Sequence, residues 1–76
     1  MKEYTIDVTR IEELQTLNDI HELDKIFAKA KSTIVNGEKV LLARKDQSGS
    51  LQKFDEFSTL EELQQYRNIV FRYIRN

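Results

Sequence analysis

Thr33-Ile34-Val35-Asn36-Gly37-Glu38-Lys39-Val40-Leu41-Leu42-Ala43-Arg44 is the stretch on which the reading of this chain turns. β-Branched and aliphatic residues flank Asn36-Gly37, the pair best suited to the positive φ values of a two-residue type I′ turn. The stretch therefore predicts a β-hairpin with strands at 33–35 and 39–44 and its tip in solvent. Val40 to Ala43 is apolar on both faces, which places that strand in the centre of a sheet with a neighbour on each side.

Upstream, Tyr4, Ile6 and Val8 alternate with Glu3, Thr5 and Asp7, so residues 2–9 read as a half-buried strand. Thr9-Arg10-Ile11-Glu12 has the form of a capping box, predicting a helix from Arg10. Ile11, Leu14, Leu17, Ile20, Leu23 and Ile26 recur every three residues, a spacing that on one long helix would carry the apolar stripe around the cylinder. Asn18-Asp19 supplies a turn and a fresh N-cap, which divides the segment into helices at 10–17 and 19–31.

Downstream, Asp46 to Ser50 reads as a loop. Leu51, Phe54 and Phe57 follow at a spacing of three rather than two, predicting a bulge or a short strand. Ser58-Thr59-Leu60-Glu61 caps a last helix over about 59–75, whose apolar residues cover a little more than half its circumference. The expected fold class is α+β in one domain, 1–76. It is a two-layer sandwich with a mainly antiparallel three- to four-stranded sheet, helices on one face, and the order β-α-α-β-β-β-α.

Composition restricts the classes of function. Seventy-six residues form one small core, and without cysteine neither a disulfide nor a thiolate metal site can reinforce it. No apolar run approaches the length of a membrane span, and the N-terminal residues lack the pattern of a secretory signal, so the expected location is the cytoplasm with no membrane contact. Net charge is −1, yet it is unevenly distributed. Residues 27–53 hold six bases against two acids, while residues 1–26 hold seven acids against three bases.

Catalysis asks for a nucleophile with a base or for clustered ligands, and the one histidine, His21, lies at a helix start among acids. No catalytic residue, metal site or cofactor is predicted. Asp7 with Glu38-Lys39 does not reproduce a metal-dependent nuclease pattern, because adjacent strand residues point to opposite faces. Two candidate surfaces remain. Lys39, Arg44, Lys45 and Lys53 form a basic patch on neighbouring strands, suited to nucleic acid or to an acidic protein. Tyr66, Ile69 and Tyr73 share the shoulder of the last helix's apolar arc and are candidates for partner contact, including a homodimer.

Residues 37–66 also resemble prevent-host-death type antitoxins. In these a Gly-Glu-x-Val step leads into a strand, a basic turn, a second strand and a helix, as Gly37-Glu38-Lys39-Val40, Arg44-Lys45 and Glu61 to Tyr66 do here. The resemblance implies a small dimeric DNA-binding regulator; no functional residue is carried over from it. The residues themselves favour a non-enzymatic, self-associating protein-protein interaction module. A third reading is the accessory subunit of an enzyme completed by another chain.

Overall fold

The computed structural model of the chain describes residues 3–74. It is an α+β arrangement of β1 (Glu3–Asp7), α1 (Val8–Thr16), α2 (Ile20–Val35), β2 (Lys39–Lys45), β3 (Leu51–Phe57) and α3 (Leu60–Arg72). The strands form one mixed sheet in the order β1-β2-β3, with β1 parallel to β2 and β2 antiparallel to β3. Residues 2 and 75, the outer limits expected for the first strand and the last helix, lie outside the described residues.

The sheet is thus neither mainly antiparallel nor four-stranded, and both differences come from one place. Thr33-Ile34-Val35 is not a strand but the last turn of α2. The buried stripe Leu23, Phe27, Ala30 and Ile34 keeps helical spacing to the end of that segment. Asn36 has φ −81°, so no type I′ turn forms, and only Gly37 takes a positive φ, +80°. Gly37 N–H donates to the Ile34 carbonyl at 2.9 Å and Glu38 N–H to the Thr33 carbonyl at 3.0 Å. This paired closure is a Schellman motif, in which Gly37 supplies the left-handed residue past the helix end.

β2 is central, as its two apolar faces require, but its second neighbour is β1. Its partners in register are Tyr4↔Val40 and Ile6↔Leu42 on one side and Val40↔Phe57 on the other. Ile6, Val40, Leu42 and Phe57 join Ile11, Leu14, Leu23, Phe27, Ala30, Ile34, Leu63, Val70 and Ile74 in the core. Strand alternation sends Thr5, Leu41 and Lys45 to the opposite face.

The first helix begins earlier than the capping box at Thr9 predicts. Asp7 is the N-cap, accepting from Thr9 N–H at 2.9 Å, and Val8 is buried within the first turn. Glu12 is thereby free to pair elsewhere. The break between helices falls where expected: Asn18 adopts φ 54° and Asp19 caps α2 by accepting from Glu22 N–H at 3.2 Å.

Built into open space, a side chain at Gly37 meets nothing within 4 Å, so its cost there is purely the left-handed backbone. Gly37→Ala should therefore lose about 1 kcal/mol, seen as a drop in melting temperature of roughly 4–8 °C for a chain of this size. Asn36→Ala should cost less than about 0.5 kcal/mol. Equal losses at both positions would instead indicate a type I′ turn.

Candidate contact surface

α3 is fixed in phase by a complete capping box. Glu62 N–H donates to the Thr59 hydroxyl oxygen at 3.2 Å, and Thr59 N–H donates to the Glu62 carboxylate at 3.2 Å. The carboxyl of Glu62 is held below its usual range, first by the Ser58 backbone N–H and then by Thr59. With that phase Leu63, Val70 and Ile74 turn inward, while Ile69 and Tyr73 stand 48% and 69% exposed. The Gln15 side-chain amide, donating to the Val70 carbonyl at 3.0 Å, ties α1 to this helix just below them.

Of the three contact residues expected from sequence, Tyr66 is the one turned partly inward. Its ring lies 5.8 Å from Phe27 and 5.6 Å from Phe57, centroid to centroid. Burial pushes its phenol up to about 12, with Glu12 adding to the rise and Arg44 opposing it.

A residue outside that set completes the surface. The pairing of β3 with β2 passes from Leu42↔Asp55 to Ala43↔Lys53, leaving Phe54 as the extra residue of a β-bulge. Phe54 is 57% exposed and lines one groove with Leu42, Tyr66 and Ile69. An adjoining groove, bordered by Val8, Gln15, Tyr66, Ile69 and Tyr73, shares Tyr66 and Ile69 with the first. Phe54, Ile69 and Tyr73 are therefore one continuous apolar shoulder along the outer flank of β3 and α3. The spacing of three across Leu51, Phe54 and Phe57 signals the bulge, but not the direction in which Phe54 turns.

The basic residues are brought onto adjacent strands but not into a bare positive patch. Lys39 lies 3.2 Å from Glu56, whose carboxylate also meets Lys53, and Lys45 lies 4.0 Å from Asp7. The carboxyl of Glu56 is held below its ordinary range by Lys53 first and Lys39 second. Arg44 points to the other side of the sheet and grips Glu12 on α1 through two nitrogens, at 3.0 and 3.2 Å. Each of the four cations thus has a carboxylate beside it, and exposed pairs of this kind leave little net field.

His21 is exposed on α2. Among the described residues there is no group of three or more His, Cys, Asp or Glu able to hold a metal ion, and no helix long and apolar enough to cross a membrane. No protein-family model, curated protein or solved structure matches the chain. The resemblance of residues 37–66 to antitoxins gains no support from these comparisons.

The half-buried phenol of Tyr66 gives this surface a pH signature. An unfolded tyrosine titrates near 10, whereas partial burial in the fold pushes the Tyr66 phenol up to about 12. The neutral phenol's contribution is complete below the unfolded value and is lost as pH rises from about 10 to about 12, because the unfolded chain releases its proton first. Melts across that window should show falling stability, and Tyr66→Phe should flatten the decline. Tyr4, also raised by burial, keeps part of it. An unchanged slope in Tyr66→Phe would show that Tyr66 is solvated.

Proposed function

We propose that this chain is a non-enzymatic interaction module that meets a protein partner through the shoulder of Phe54, Ile69 and Tyr73. The observation that carries the reading is the contiguity of these three side chains, each about half exposed or more, across two consecutive elements, a strand and the helix that follows it. Isolated exposed apolar residues are ordinary, whereas a joined aromatic and aliphatic patch has the composition of an interface centre. The rim is polar, with Glu12, Gln15, Asp55, Glu62 and Gln65 around it, as contact surfaces require. A regulator that binds DNA through Lys39, Arg44, Lys45 and Lys53 would have to separate each cation from its carboxylate.

Ile69→Asp tests the proposal, since it places a charge at the middle of the shoulder while replacing a half-exposed residue. Its melting temperature should stay within a few degrees of wild type. Affinity capture from native cell extract should lose the proteins retained by wild type. Retention of every partner, or outright unfolding of the variant, removes the shoulder as a contact surface. Micromolar binding of the wild type to mixed duplex DNA at about 0.1 M salt, lost on changing Lys39, Arg44 and Lys45 to glutamine, would replace this reading by the regulator.

A further inference from the structure

We infer that the occupant of the shoulder is a second copy of this chain, joined through the outer edges of two β3 strands running antiparallel about a two-fold axis. The inference rests on the contact surface proposed above and names its partner. β3 is terminal in the sheet, so its edge away from β2 is open to another strand, with the Glu56 N–H, now donating to Asp55 Oδ1 at 2.8 Å, released from that bond if the second strand needs it. Phe54 belongs to that strand, and Ile69 shares its groove. An occupant must therefore supply a strand beside β3 and apolar cover above it, and a second copy brings both in its own β3 and α3.

Charge selects the orientation. Lys53 pairs opposite Ala43 and Glu56 opposite Leu41, so both side chains emerge on the sheet face that carries Lys39 and Lys45, although they are three residues apart. The bulge at Phe54 is what makes this possible, since an unbroken strand would send them to opposite faces. In an antiparallel pair that sets Lys53 across from Glu56 of the second copy, the two-fold axis sets Glu56 across from Lys53 of the second copy as well. Both cross-strand pairs are then of opposite charge. The same register sets Gln52 across from Phe57 of the second copy, both on the helix side, and sets the bulged Phe54 across from Asp55 of the second copy at the two-fold axis. A parallel, in-register arrangement would set lysine against lysine. An edge lysine and a bulge normally discourage strand addition; here they reject edges that lack charges in the reverse order, which the antiparallel copy has.

Charge exchange provides the test. The chain should sediment as a dimer at concentrations below about 1 mM. Lys53→Glu and Glu56→Lys should each weaken self-association roughly tenfold or more, because each homodimer then holds two like-charge cross-strand pairs. An equimolar mixture of the two variants should recover the dimer as a heterodimer, in which both pairs are again opposite. Should either single variant lose its fold, the doubly exchanged Lys53→Glu/Glu56→Lys chain carries the same test, and its dimer is expected intact. A wild-type chain that stays monomeric at about 1 mM overturns the second copy, while the capture experiment with Ile69→Asp still decides the shoulder. A dimer indifferent to both single exchanges and to their mixture overturns the β3 register.

Discussion

The parallel pairing of β1 with β2 is the constraint on which the rest of this molecule depends. Adjacent parallel strands cannot be joined by a tight turn; the chain must leave the sheet, travel back along its length and re-enter from the same end. α1 and α2 make that return in two pieces. Asn18 at φ 54° breaks the first piece, Asp19 restarts it, and Gly37 at φ 80° stops it where β2 must begin. Because both helices lie between strands of one sheet, their buried stripes face it together. The core forms where Ile11, Leu14, Leu23, Phe27, Ala30 and Ile34 meet Ile6, Val40 and Leu42. Phe57 on β3 is covered by the remaining helix.

That division of labour explains why α3 carries more apolar surface than it buries. It has to close the core against α2 and β3 at once, and Leu63, Val70 and Ile74 suffice for this, with Tyr66 and Phe71 packed partly behind them. Ile69, which touches β3 only at the rim where Phe54 lies, stays half exposed, and Tyr73 more so. A fully buried large apolar side chain is worth about 1.5–3 kcal/mol, so half-exposed Phe54, Ile69 and Tyr73 leave on the order of 1 kcal/mol each unrealised. For a small domain, whose whole stability is a few kcal/mol, that is a substantial reserve for association.

How much of this could be read from residues alone depends on the range of the deciding contact. The alternation of Tyr4 and Ile6, the break at Asn18-Asp19 and the central position of Val40 to Ala43 are local patterns, and the fold follows them; the capping box read at Ser58 to Glu61 forms one residue later, between Thr59 and Glu62. Asn36-Gly37 is also local but carries two meanings, since a glycine with positive φ serves a hairpin and a helix end equally. What separates them is whether the preceding residues keep helical spacing, and Ile34 continues the stripe of Leu23, Phe27 and Ala30. The arc of α3 made Ile69 and Tyr73 legible as surface candidates. Neither the pairing of Arg44 with Glu12, thirty-two positions apart, nor the seating of Phe54 beside Ile69 has any sequence-local signal. The basic patch read as a binding surface because its carboxylates come from β1, α1 and β3, elements whose approach is a product of folding.

The bulge at Phe54 links the fold to both of its surfaces. With strict alternation from Phe57, the residues at 55 and 53 would share the core side, and Lys53 would be driven under α3 rather than toward Glu56. One extra residue shifts the phase, so that Phe57 still fills the core opposite Val40 while Lys53 lies opposite Ala43 on the far side. The residue that absorbs the shift has to sit at the margin of the sheet, neither in the core nor in the row of ion pairs. The aromatic ring at that position is exposed and borders Ile69 in one groove and Arg44, Lys45 and Lys53 in another. The apolar shoulder and the charged face thus have a common origin in the register of one strand, and a change in that register would alter both surfaces at once.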